Sequence, residues 1–68
     1  MVFKNLKSIR EDNDVKQKDI AEILHVSQNT YSQYETGKIA LTAEVLIKLA
    51  DYYNCSVDYL LDRTNILK

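Results

Sequence analysis

The chain contains no proline and no tryptophan, and only one glycine, one cysteine, one histidine and one methionine among 68 residues. Each shortage closes off a class of protein. Without proline, and with glycine only at Gly37, the turn-dense punctuation of a β-sandwich or a run of hairpins is missing. The lone Cys55 cannot close an internal disulfide, which fits a reducing, cytoplasmic setting. His25 stands alone, with no companions at metal-ligand spacing, and there is no Gly-rich phosphate loop, so neither a metal nor another cofactor is expected. No apolar run approaches the roughly 18 residues of a membrane span, and no signal-peptide pattern opens the chain. No set of acid, base and nucleophile residues converges on a pocket, so the expectation is a non-enzyme without a small-molecule ligand.

What is present is 46% hydrophobic and 28% charged residues, an ordinary globular composition. One domain over residues 1–68 is expected, with a core at about 3–63 and a tail at 64–68 that frays. A separate effector-sensing or dimerisation domain is not expected within this length. The apolar spacing is helical throughout and predicts an all-α fold of five helices. The first runs from about Phe3 to Asp12, with Phe3, Leu6 and Ile9 inward and Arg10 on the same face. The second spans about Gln17 to Leu24 and buries Ile20, Ala21, Ile23 and Leu24. The third starts after Ser27, a good N-cap, and ends near Thr36, with Gly37 as a stop. Thr42 caps the fourth, about Ala43 to Tyr53, with a stripe of Val45, Leu46, Leu49, Ala50 and Tyr53. Ser56 caps a short fifth helix, about Val57 to Asp62, with Val57, Leu60 and Leu61 inward. At the ends of the second and fourth helices, His25 and Asn54 stand where a positive φ is needed, and both types tolerate that region better than most.

The third helix has an unusual outer face. At about 100° per residue, Gln28, Asn29, Ser32, Gln33 and Thr36 fall within one arc of roughly 140°, while Tyr31, Tyr34 and Glu35 point the other way. That arc carries amides and hydroxyls but no charge, whereas a merely solvated helix face usually carries Lys and Glu. Asn and Gln can bond an adenine at N6 and N7 together, and Ser or Thr can serve several bases or phosphates. The formal net charge of −1 argues against nucleic acid, but phosphate contacts depend on the charge of one face. Lys16, Lys18 and Lys38 flank the two-helix segment, while Asp51, Asp58 and Asp62 lie downstream.

In Gln17-x-x-Ile-Ala21, Val26-Ser27, Tyr34-Glu35-x-Gly37-Lys38, Leu49-Ala50 and Val57-Asp58-Tyr59-Leu60-Leu61, the chain resembles the helix-turn-helix domain of lambdoid phage repressors and Cro proteins, the xenobiotic-response-element family. The resemblance extends from Leu6 to about Arg63 and implies a compact five-helix domain whose third helix enters the major groove of double-stranded DNA. It implies base reading by Gln28, Asn29, Ser32 and Gln33, and phosphate contacts from Gln17, Ser27, Thr36, Lys38 and Arg10; Lys16 and Thr30, in or beside the two-helix segment, are further expected phosphate contacts. It also implies an Arg10–Glu35 ion pair. Departures from the family pattern are His25 in place of a turn glycine, Tyr31 where Ile or Val usually stands, and the missing proline before the fourth helix.

The implied function is a sequence-specific transcriptional regulator, a repressor that acts by occupying a promoter. A protein-interaction module or an antitoxin that keeps the fold is the alternative. One recognition helix reads few base pairs, so a homodimer on a pseudo-palindromic operator is expected, with third helices about 34 Å apart. Ile47, Tyr59, Ile66 and Leu67, which the single core does not obviously need, are its expected interface.

Overall fold

The computed structural model describes residues 2–67, which form α1 (Lys4–Asp12), α2 (Gln17–Ile23), α3 (Gln28–Thr36), α4 (Ala43–Tyr53) and α5 (Val57–Leu60). No strand occurs among the described residues, so the fold is all-helical. Each helix places one fully shielded side chain at the centre: Leu6, Ile20, Tyr31, Leu49 and Leu60. Ile9, Ala21, Leu24, Tyr34, Val45 and Ala50 close around them. No helix among the described residues is long and apolar enough to cross a membrane.

The helices start and stop for local reasons. Ser27, Thr42 and Ser56 each stand just before a helix and accept a hydrogen bond from the backbone N–H three residues on, at 3.0, 3.1 and 3.0 Å. All five helices stop in one way. A residue with positive φ follows each of them: Asp14 at 56°, His25 at 59°, Gly37 at 79°, Asn54 at 56° and Asp62 at 59°. The next backbone N–H then reaches back across the last turn, as in Val26 to the Ala21 carbonyl, Lys38 to Gln33 and Cys55 to Ala50, each at 3.0 Å. Four of these stops are non-glycine, and an L-residue in this region carries strain. Replacing His25 by Gly is therefore expected to stabilise the fold by about 0.5–1 kcal/mol. The melting temperature should rise by about 2–8 °C for a domain of this size, and thermal unfolding followed by circular dichroism checks it.

The start of α1 is handled differently. Phe3 precedes it and offers no side-chain acceptor. The free N–H groups of Lys4 and Asn5 donate instead to the Asp62 carboxylate, at 2.6 and 2.8 Å, and the Asn5 side chain donates to the Tyr59 carbonyl at 2.8 Å. A negative charge at a helix N-terminus is favourable on dipole grounds as well. The end of α5 thus closes the beginning of α1.

Several expectations need correction. Ile23 is 38% exposed rather than buried. In a two-turn helix, Ile20, Ala21 and Leu24 already share the inner face, and Ile23 lies about 100° from its centre. α1 begins at Lys4, α2 ends at Ile23 with Leu24 as its buried C-cap, and α5 is one turn long because Asp62 turns left-handed. Phe3, Leu46, Tyr53, Val57 and Leu61 are half-buried around the core rather than within it. In the tail, the Leu67 carbonyl accepts from the Ser56 N–H at 2.7 Å, and Thr64 Oγ1 accepts from the Ile66 N–H at 3.1 Å.

Candidate nucleic-acid interface

α2 and α3 are joined through His25, Val26 and Ser27, and the left-handed His25 turns the chain so that α3 sets off at an angle from α2. Ser27 then does two things at the start of α3. Its Oγ accepts from the Thr30 N–H and donates to Thr30 Oγ1 at 2.9 Å, so both hydroxyls are fixed at the helix N-terminus. Such an end is partially positive and suited to a phosphate oxygen.

Gln28 and Asn29 are exposed at the first turn of α3, Ser32 and Gln33 are half-buried in the second, and Thr36 is exposed at its end. Gln28, Asn29 and Ser32 line an open cleft of about 380 Å³ whose opposite wall is Gln17, from the first turn of α2. The four lining residues carry no charge. Lys16 and Lys38 are exposed, one just before α2 and one just after α3. Gln17 also borders a second, larger cleft of about 670 Å³, lined with Val2, Lys7, Arg10, Glu11, Glu35 and Thr36. Lys7, which the sequence did not single out, stands one helical turn before Arg10 on α1 and shares this cleft's wall with it.

Behind these clefts lies a buried polar hub centred on Glu35, which is 7% exposed. Arg10 Nε donates to Glu35 Oε2 at 2.6 Å, and Arg10 Nη2 donates to Oε1 at 3.2 Å. The Tyr31 hydroxyl also donates to Oε2, at 2.6 Å, and Gln17 Nε2 donates to Oε1 at 3.1 Å. Arg10 Nη1 donates to the Val15 carbonyl at 2.9 Å, which ties in the loop between α1 and α2. Three of the five guanidinium N–H groups are thus committed inside the protein. Burial pushes the Glu35 carboxyl up, but the bonds from Arg10, Tyr31 and Gln17 outweigh it and hold the group below the usual carboxylate range. Burial, reinforced by the bond to Glu35, pushes the Tyr31 hydroxyl far above the ordinary tyrosine value.

Outside the two clefts, Ile47 is 55%, Ile66 68% and Leu67 50% exposed, and Tyr52 on α4 is exposed as well. Tyr59 is half-buried against the core. Cys55 is a half-buried free thiol that burial pushes up.

A model of the helix-turn-helix family matches residues 6–60, which takes in α2 and α3 and the hub around Glu35. The HTH-type transcriptional regulator ImmR of Bacillus subtilis (strain 168) is 37% identical over 96% of this chain, and the chain spans 51% of its length. The antitoxin PezA of Streptococcus pneumoniae serotype 4 is 34% identical over 82% of this chain and 35% of its own. The crystal structure of a transcriptional regulator from Listeria innocua superposes with a TM-score of 0.83 at 31% identity, over 96% of this chain and 61% of that one. The chain therefore spans about half the length of the first of these relatives and about a third of the second. With the fold, the two-helix unit and the family model in agreement, the chain belongs to the helix-turn-helix family.

Proposed function

We propose that the chain is a sequence-specific double-stranded-DNA-binding unit that represses transcription by occupying a promoter, with α3 inserted in the major groove. The observation that carries this reading is the uncharged cleft in which Gln17 of α2 faces Gln28, Asn29 and Ser32 of α3. Gln28, Asn29, Ser32 and Gln33 read base edges, which amides and hydroxyls do without a charge of their own. Gln17, Ser27, Thr30, Thr36, Lys16 and Lys38 hold the backbone on both sides of the groove, and Arg10 reaches it with the N–H groups that Glu35 and Val15 leave over. The unit works without a cofactor, as a non-enzyme in the cytoplasm, where its DNA is.

The test is binding to the DNA upstream of its own gene, measured against salt concentration. A steep negative log–log slope is expected for wild type. Lys16→Ala and Lys38→Ala should each reduce its magnitude by about one, because each removes one phosphate-neutralising charge. A slope near zero in wild type would turn the reading toward a protein-interaction module.

A net charge of −1 leaves one copy with little non-specific affinity, so the operator is read by a homodimer on a pseudo-palindrome. Ile47, Ile66 and Leu67 supply exposed apolar surface for it, with Tyr59 contributing only its outer edge. Wild type should bind the full palindrome with a steepened titration and a lone half-site far more weakly. Equal affinity for the two, with no steepening, would exclude the dimer.

The match to PezA favours a second reading, in which the same DNA-binding unit serves an antitoxin. In that case, deleting the gene should be tolerated only when a neighbouring toxin gene is deleted with it.

A further inference from the structure

Tyr31 is wholly shielded from solvent, and its ring packs edge-on against Tyr34 with centroids 6.3 Å apart at 78°. For packing alone a phenylalanine would fill that space, and a buried hydroxyl is costly unless it is bonded. This hydroxyl donates 2.6 Å to Glu35 Oε2, an oxygen that already receives Arg10 Nε at the same distance. The other oxygen, Oε1, receives Arg10 Nη2 and Gln17 Nε2. The carboxylate's last torsion is intrinsically broad, and two groups hold it: the Arg10 guanidinium, itself tied to the Val15 carbonyl, and the Tyr31 hydroxyl, on a ring locked in the core. The Tyr31 hydroxyl thus helps to set the plane of the carboxylate and, through Oε1, the place of the Gln17 amide on α2. One Gln17 N–H is held by Glu35, and its second N–H and its carbonyl oxygen have no bond among the described residues. Gln17 stands on the wall of both clefts of the candidate interface.

We infer that Tyr31 is a positioning residue for DNA binding, holding the Gln17 amide through Glu35 in the orientation that meets a backbone phosphate. The inference rests on the proposed phosphate contact of Gln17. A side chain ordered in advance is not charged for that ordering when DNA arrives, and a phosphate contact is indifferent to sequence. Tyr31→Phe keeps the ring and removes only the hydroxyl. It should weaken binding to operator and to random DNA equally, by about 2–10-fold, the cost of ordering one side chain on binding. In a Gln17→Ala background the same substitution should have no further effect, since the amide it positions is gone and Arg10 keeps its own anchor at the Val15 carbonyl.

The free protein supplies a separate readout. The side-chain amide resonances of Gln17 should be as rigid as the backbone in wild type and become mobile in Tyr31→Phe, while those of Gln28 stay unchanged. If Gln17 is as mobile as Gln28 in wild type, or unaffected by Tyr31→Phe, the inference is overturned whatever DNA binding does. The wild-type measurement stands even if Tyr31→Phe does not fold. If the resonances behave as expected but Gln17→Ala binds DNA normally, the tether exists, the phosphate role of Gln17 fails, and the inference about DNA falls with it. A Tyr31→Phe effect that persists in full beside Gln17→Ala would equally overturn it.

Discussion

Glu35→Ala is expected to cost about 3–5 kcal/mol of folding stability, the typical effect of removing one partner of a buried ion pair. The Arg10 guanidinium would keep its bond to Val15 but lose both bonds to the carboxylate while 88% shielded, as its 12% side-chain exposure shows. Domains have about 0.05–0.15 kcal/mol of net stability per residue, roughly 3–10 kcal/mol for 68 residues, so a loss of this size would remove a large share of the chain's stability. Urea titration of the variant checks it. Glu35→Gln keeps the shape and one acceptor oxygen and should cost less, while also removing a pH dependence. The Glu35 carboxyl is held below its unfolded value, so its stabilisation is complete above about pH 4.3, the ordinary glutamate value. It is lost as the pH falls through the lower folded value. Wild type should therefore lose stability on acidification below that point more steeply than Glu35→Gln. Parallel acid limbs would mean that Glu35 does not carry this effect.

Asn29→Ala and Gln33→Ala are expected to relax sequence preference without loosening the fold. Each removes an amide able to make a bidentate contact, and one such pair discriminates by about 1–3 kcal/mol, roughly 5–150-fold, at a single base pair. The effect should be confined to that position of the operator and be nearly absent on random DNA. Competition binding against a library of operators with single base-pair changes measures it. Equal weakening on every sequence would move these residues to the backbone-contacting group. Asn29 is exposed, whereas Gln33 is half-buried. Gln33→Ala is therefore the variant whose fold needs checking first.

Three of the five helix starts and most of the stops were legible because the interactions that make them are local. Ser27, Thr42 and Ser56 cap through bonds spanning three residues, and Gly37, His25 and Asn54 stop helices through bonds inside one turn. Asp14 and Asp62 use the same left-handed stop but went unread, because an aspartate on a polar surface carries no mark of it. The short α2 also misled: a pattern of four apolar residues in five does not say which one a two-turn helix leaves outside, and Ile23 is that one.

The residue types on the outer face of α3 were likewise plain, since helical periodicity alone places Gln28, Asn29 and Ser32 together. Their meeting with Gln17 was not, because it depends on the angle at which α2 meets α3. The sequence alone therefore determined an all-helical chain, its caps, and a polar, uncharged face on its third helix, since each follows from spacing within a few residues. Only the tertiary structure decided that Asp62 closes α1 from 57 and 58 positions away, that the tail returns to Ser56, and that Tyr31 and Gln17 join Arg10 on one carboxylate. Those contacts join residues far apart in the chain. Their partners are chosen by how five helices pack, and local pattern holds no record of that.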